Sequence, residues 1–428
     1  MPLSLFCAWL VSHTLGSHEW QLRAVNVLWG AVALLGMYRV GKRLQLPWLP
    51  VLLAIQPYFW FYSNEARPYA LQMACGAWLL AGLTDFIASQ GTGESWVWEF
   101  SVASIILCLT TMLAPLPVAV AVAAGGIVAF KDKWKLHRKT LAVLVGGAIA
   151  AIPIGLYYLS TLSRGASGAK LWHVDLKFFG YVLYETTGMV GLGPSVESIR
   201  ELARSPHFYS ELLRSIYQFL LPAAFSLALL SVFVFGLRKS PAKSKNPFLI
   251  SITFVLTVTC LIFVVVGICI QKAFWARHFA PVVPFYVALL GIAIAGMEKR
   301  KLQSALVFLL IGLLTLSSLN IRFGPHRKED FRQAAQIART ALAENKSVYW
   351  SASVFGIQYY HLDYSFTPET GKVFSPMRAD VTKLPLPDLI VYYSKPESFD
   401  SSGAIQKIIR ENGYRPVKSL NSFVIYSR

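Results

Sequence analysis

The sequence predicts an all-α polytopic membrane bundle over residues 1–320 and a small α/β domain over residues 321–428, and three observations predict it. Of the 428 residues 55% are hydrophobic and only 14% charged, where a soluble globular chain carries about 25% charged residues. Apolar runs long enough to cross a hydrocarbon core of roughly 30 Å recur as far as residue 320. The basic residues, finally, sit in short tracts between those runs, and with about ten spans every tract falls on one side.

The runs lie at 20–40, 47–63, 68–88, 96–112, 114–130, 140–160, 213–237, 248–270, 279–297 and 302–320. Thr111-Met112-Leu113-Ala114-Pro115-Leu116-Pro117 divides the fourth from the fifth, because prolines close one helix and open the next. The basic tracts are Arg39/Lys42/Arg43, Lys131–Lys139, Arg238–Lys245 and Glu298–Lys301. Retention of Lys and Arg on the cytoplasmic side then puts Ser63–Tyr69, the loop 161–210, Gln271–His278 and the C-terminal domain outside. The expected setting is a multi-pass protein of the inner (plasma) membrane with an extracytoplasmic C-terminal domain. Residues 2–15 are apolar but short for a span, and Gly16-Ser17-His18-Glu19 sets them apart. They read as a helix lying against the external face, with a tilted spanning helix as the alternative.

From residue 321 the pattern changes. Phe331–Glu344 and Ala404–Asn412 have the spacing of amphipathic helices, while Ser347–Ser351, Leu389–Tyr393 and Ser422–Tyr426 read as strands rich in β-branched and aromatic residues. Alternating helices and strands predict an α/β domain. No GxGxxG or phosphate-binding loop motif occurs, so no nucleotide site and no cofactor are expected. Cys7, Cys75, Cys108, Cys260 and Cys269 all lie in apolar runs without metal-ligand spacing, which predicts neither disulfides nor a metal site. Lys plus Arg outnumber Asp plus Glu by 40 to 22. That excess lies in the loops, not on a basic helix or aromatic platform, so nucleic acid is not an expected partner. The oligomeric state leaves no signal in the sequence.

Ionisable residues at a membrane edge are costly, which makes each cluster a candidate site. The first is Ser63-Asn64-Glu65-Ala66-Arg67-Pro68-Tyr69-Ala70-Leu71, at the junction of two spans, with Pro68 placed to open the second helix. Glu65 and Arg67 either pair to fix a tight hairpin or face a polar ligand. The second is Gln271-Lys272-Ala273-Phe274-Trp275-Ala276-Arg277-His278, followed by Pro281 and Pro284. Its cations either hold the phosphate of a lipid carrier or belong to an interfacial anchor belt. The loop 161–210 adds Arg164, Lys170, Trp172, His173, Asp175, Lys177, Glu185 and Gly191-Leu192-Gly193-Pro194, with no spacing diagnostic of a reaction.

These residues resemble landmarks of bacterial membrane glycosyltransferases of the GT-C superfamily, the family 39 type and its dolichyl-phosphate-mannose mannosyltransferase-like relatives. Glu65-Ala66-Arg67-Pro68-Tyr69-Ala70-Leu71 is similar to the family's E-x-R-x-Y-x-L segment. Glu19-Trp20-Gln21-Leu22-Arg23 and Tyr38-Arg39-Val40-Gly41-Lys42-Arg43-Leu44 resemble its pre-helix and cytoplasmic-turn pieces. Ala276-Arg277-His278-Phe279-Ala280-Pro281-Val282-Val283-Pro284 resembles its A-R-Y-x-x-P-x-x-P segment, and Arg327-Lys328-Glu329-Asp330-Phe331 the opening of its external domain. The resemblance implies a GT-C fold and transfer of a sugar from a polyprenyl-phosphate donor to a lipid, glycan or protein acceptor at the external face. It also implies that Glu65, Arg67 and Tyr69 line the cavity, with Arg277 and His278 near the lipid phosphate. Such chemistry needs a carboxylate near the acceptor hydroxyl and cations near the leaving phosphate.

The sequence also departs from the family pattern. The family's catalytic Asp lies in a first external loop, and Met1-Pro2-Leu3 aligns with the helix after that loop, so no catalytic base is named by the resemblance. Met112 stands where many relatives have His. The expectation is a transferase lacking its first span and first external loop, truncated and inactive as written. The alternative is a non-catalytic scaffold or accessory subunit on the same fold. A transporter would show an inverted repeat or paired broken spans, and the sequence has neither.

Overall fold

The computed structural model describes residues 2–14, 16, 19–63, 67–93, 95–111, 113–134, 153, 156–157, 176–195, 198–199, 202, 207–239, 246–270, 276–297, 301–323, 330–367, 369, 371–375, 385–393, 400, 402–420 and 422–428. These fall into two compact units, Met1–Arg322 and Phe323–Arg428.

In chain order the helices of the first unit are α1 (Pro2–Thr14), α2 (Glu19–Leu44), α3 (Leu49–Ala54), α4 (Pro57–Ser63), α5 (Tyr69–Ala88), α6 (Ser95–Cys108) and α7 (Pro115–Lys131). After them come α8 (Leu176–Thr187), α9 (Phe208–Arg214), α10 (Leu220–Lys239), α11 (Asn246–Ile270), α12 (Val283–Ala295) and α13 (Lys301–Phe323). Among the described residues six helical stretches are long and apolar enough to cross a membrane: 23–44, 69–88, 216–238, 247–268, 276–295 and 301–323. The expected spans 96–112 and 114–130 are the shorter apolar helices α6 and α7, and most of 140–160 lies outside the described residues. The expected span 47–63 is two short helices, α3 and α4, broken at Ile55-Gln56. Pro57 accounts for the break, since it supplies no N–H to continue the α3 ladder and starts a new helix instead.

Helix α5 is the centre of the bundle. Of its most apolar 18-residue stretch 94% is buried, against 28% for that of α11, whose outer face carries exposed Leu261, Val265 and Ile268. Apolar side chains turned outward are what a helix facing lipid requires. Where α2 and α5 end, four charges meet. Arg39 and Arg43, four residues apart and so on one face of α2, both reach the buried carboxylate of Asp85 on α5, each with an Nη2–Oδ2 distance of 3.4 Å. Arg43 Nε also donates to Asp85 Oδ1, and Arg39 donates to Glu99 on α6. Two members of the first basic tract therefore lock three helices together. The cysteines described in that state, Cys7, Cys75, Cys108 and Cys260, are free thiols.

The second unit is α14 (Phe331–Ala343), β1 (Val348–Ser351), α15 (Val354–Tyr359), β2 (Tyr364–Ser365), β3 (Val373–Phe374), β4 (Leu389–Tyr393), α16 (Ala404–Glu411), β5 (Arg415–Ser419) and β6 (Phe423–Ser427). The sheet order is β2-β3-β1-β4-β6-β5. Strands β2, β3, β1 and β4 are parallel, and β6 and β5 are antiparallel. Side chains alternate across the sheet. Val348, Trp350, Val391 and Tyr393 pack with the Ala334/Ala335/Ala338 stripe of α14, while Tyr349, Ile390 and Tyr392 pack with Ile405 and Ile408 of α16. Both faces are covered, which is why β1 and β4 are buried throughout.

Candidate active site

The opposite end of the bundle from the Arg39–Asp85 cluster is built around three tyrosines. Tyr58 and Tyr62 stand four residues apart on α4, hence on one face, with ring centroids 4.5 Å apart. Tyr69, the first residue of α5, lays its ring edge-on against Tyr62 at 4.9 Å. Pro68 precedes it and opens the helix. All three rings are buried, and edge-on aromatic pairs are worth about 0.5–1.5 kcal/mol beyond their buried area.

Each tyrosine of α4 then binds a different segment. The Tyr58 hydroxyl donates to the carbonyl of Ala276 at 2.9 Å. Ala276 begins a 3₁₀ segment, Ala276–Val282, that carries half-buried Arg277 and His278. The Tyr62 hydroxyl donates to Glu185 Oε1 on α8. Glu185 is only 4% exposed, and an ion buried so deeply costs several kcal/mol before its partners compensate. The Gln56 amide, at the break before α4, adds donors to the Thr186 and Thr187 carbonyls at 3.4 and 3.3 Å.

The 3₁₀ segment is also pressed on α5. A Cβ added at Gly76 would lie 2.8 Å from the Pro281 carbonyl carbon and nearer still to its oxygen, so the two backbones touch where glycine permits it. Behind α8 the chain turns through Gly188, whose φ of 97° suits glycine, into Met189–Gly191. Ser317 of α13 donates to the Gly188 carbonyl at 2.6 Å and accepts from the Gly191 N–H at 3.1 Å. Asn320 donates to the Gly191 carbonyl at 2.8 Å. Tyr184 donates to the Pro194 carbonyl at 2.9 Å, and burial raises its phenol well above the ordinary value, keeping it a donor. The Gly191-Leu192-Gly193-Pro194 run is thus a docking turn held by α13 and α8.

Of the residues singled out by sequence, Tyr69 is buried in the tyrosine cluster, Arg67 is exposed at the turn before it, and Arg277 and His278 are on the segment that Tyr58 holds. Glu65 lies outside the described residues, as do Lys272, Arg164, Lys170, Trp172, His173 and Asp175. Tyr58, Tyr62 and Gln56 were hidden inside an apparent span. The signal that marks them is Gln56-Pro57, a polar residue and a helix opener within an apolar run rich in tyrosine. Glu185 was named among the residues of 161–210, but its link to Tyr62 had no local signal, because the two lie 123 positions apart. Among the described residues no cluster of three metal-ligating side chains occurs.

The sequence matches no protein-family model and no curated protein sequence. Among solved structures, it is similar to ArnT from Cupriavidus metallidurans bound to undecaprenyl phosphate, with a TM-score of 0.50 and 13% identity, over 100% of this chain and 87% of that one. The apo state of the same protein matches with a TM-score of 0.50, 12% identity and the same coverage. The likeness runs through both units of the chain. It shows a multi-pass membrane fold of the GT-C type with a C-terminal sheet region.

Proposed function

We propose that this chain is a membrane glycosyltransferase that moves a sugar from a polyprenyl-phosphate donor to a lipid, glycan or protein acceptor at the external face of the inner membrane. The observation that carries the reading is the likeness over the whole chain to a structure holding undecaprenyl phosphate. The site chemistry supports it. Arg277 and His278 would meet the donor phosphate, where a guanidinium provides a fork of donors for phosphate oxygens. Arg67 would reach the same phosphate or the sugar's oxygens, and Glu65 and Tyr69 would line the sugar's path. The leaving group is a phosphate monoester carrying the lipid, so neutralising its charge lowers the barrier without acid catalysis at that oxygen. The C-terminal α/β unit would then stand outside the membrane.

Binding of undecaprenyl phosphate to the purified chain in nanodiscs tests the reading, with undecaprenol as the uncharged control. Affinity for the phosphate lipid should exceed that for the alcohol. Arg277→Ala should weaken it about tenfold or more, the loss of one charge-assisted contact of about 1.5–3 kcal/mol. Equal binding of phosphate and alcohol would refute it and return the cations to an anchor belt. For the first cluster, Glu65→Gln and Arg67→Lys should reduce transfer at unchanged thermal stability. Matching losses of stability and expression, with activity per folded molecule intact, would make both residues structural.

A further inference from the structure

We propose that the second unit carries a binding site for a short acidic saccharide, in the cleft between α14 and the edge strand β5. The site belongs to this unit alone, and its ligand binds whether or not the first unit transfers a sugar.

The cleft follows from a mismatch of width. The sheet has six strands, and α14 lays its alanine stripe against the side chains of β1 and β4. Strands β6 and β5 continue the sheet beyond β4, and all five residues of β5 are exposed. A cavity of about 470 Å³ lies along this flank of the helix. Small-ligand sites occupy about 300–1,000 Å³. Ile337, Ala341 and Leu389 give the cleft its apolar surface, and its other six lining residues are polar or charged.

Those polar groups are arranged in a row and a point. Gln333, Gln336 and Thr340 stand at i, i+3 and i+7 of α14, hence on one side of the helix beside the alanines. A carboxamide both donates and accepts, as does a hydroxyl, and so does every hydroxyl of a sugar. The Thr340 hydroxyl donates to the Gln336 carbonyl at 3.1 Å and keeps its lone pairs for a ligand. Among the described residues neither glutamine side chain has a partner.

Lys418 is the point. It stands opposite Ile425 in the β5–β6 register, and Ile425 belongs to the core under α14. Residues directly opposite one another share a face, so Lys418 is on the helix side of the sheet. At the end of the cleft Lys346 and Glu344 pair at 2.6 Å and cancel. Among the described residues Lys418 has no acidic partner. One uncompensated cation beside a row of hydroxyl-reading groups suits a ligand rich in hydroxyls that carries a carboxylate. A peptide strand added to the sheet edge fits less well. Pro416 lacks an N–H, and the register shifts between Pro416 and Lys418, so β5 offers no regular row of backbone groups.

The full chain in nanodiscs of phosphatidylcholine is titrated with trigalacturonate, and with maltotriose as the neutral sugar of the same length. Trigalacturonate should bind more tightly, and its affinity should fall as salt rises. Lys418→Glu should weaken it about tenfold or more, and Gln333→Ala combined with Gln336→Ala about tenfold. All three side chains are exposed, so melting temperatures should not move. Lys407→Glu makes the same change of charge on α16, across the sheet, and should bind as the wild type does. An affinity for trigalacturonate no greater than for maltotriose, or an equal loss with Lys407→Glu, would overturn the site. Unchanged affinity in Lys418→Glu would make that lysine a guard of the sheet edge and overturn it too. Tetraglutamate binding as tightly as trigalacturonate would reduce the recognition to charge and overturn the saccharide assignment.

Discussion

A single methyl group at residue 76 separates packing from chemistry in this site. Gly76 sits inside α5, where a Cβ would come within 2.8 Å of the Pro281 carbonyl carbon and 3.1 Å of its Cα, all backbone atoms. Real Cβ contacts essentially never fall under 3.0 Å, and backbone cannot rotate out of the way as a side chain does. Gly76→Ala therefore forces the 3₁₀ segment away from α5 by roughly 1 Å, at an overpacking cost of about 1–3 kcal/mol. The segment carries Arg277 and His278, and a misplacement of about 1 Å in a positioning group can cost about 100-fold in rate. The assay is undecaprenyl phosphate affinity and melting temperature in detergent, with Gly126→Ala as control. Gly126 lies in α7 with nothing within 4 Å of an added Cβ, so its substitution gains roughly 0.5–1 kcal/mol of helix preference. Gly76→Ala should lower both readouts and Gly126→Ala neither. If Gly76→Ala binds and melts like the wild type, the contact does not position the segment.

Three further outcomes follow from other parts of the molecule. Removing both Arg39 and Arg43 to Ala leaves Asp85 buried without its cations and should cost about 3–5 kcal/mol. Asp85→Asn leaves only two arginines that are 41% and 49% exposed and should cost less, about 1–2 kcal/mol after screening. A reversed order of melting temperatures would refute this. In the second unit the Ser347 N–H and hydroxyl donate to Asp388 at 2.8 and 2.7 Å, holding its carboxyl below the ordinary 3.8. A depressed folded value gives stability that is present above 3.8 and lost as the pH falls through the folded value. The stability advantage of wild type over Asp388→Asn should therefore vanish in acid, and an advantage constant from neutral to acid pH would exclude it. Lastly, a reporter active only in the cytoplasm and fused after Arg428 should stay silent, and a bright signal would invert the proposed topology.

The second unit was legible where side chains alternate or repeat. Leu389–Tyr393 is a strand with the bounds read from sequence, and the alanine and isoleucine stripes of α14 and α16 mark their buried faces. Strand β5 was not legible, because all five of its residues are exposed and Pro416 interrupts the pattern, which only an edge position tolerates. In the first unit, hydropathy reads the long spans well but cannot see a break such as Ile55-Gln56, since the residues on either side remain apolar. Of the candidate site, the chemistry-bearing residues near Pro68 and Pro281 stand out by type. The Tyr62–Glu185 and Tyr58–Ala276 bonds do not, because they join residues 123 and 218 positions apart, and nothing local in the sequence records such a pairing.

The break between α3 and α4 has a consequence for biogenesis. An interrupted helix leaves backbone carbonyls without partners, which is costly in hydrocarbon. Here the Ile55 carbonyl is satisfied by the Ser318 hydroxyl at 2.7 Å, from a residue 263 positions later in the chain. The Gln56 side chain likewise waits for Thr187, 131 positions on. As the chain emerges from the ribosome, this second apolar run enters the membrane long before either partner has been translated. The nascent protein must hold this stretch in a sheltered, hydrated or chaperoned state until the last span arrives. A chain arrested before residue 318 should accordingly stay attached to the insertion machinery or be degraded, whereas one arrested after residue 323 should release.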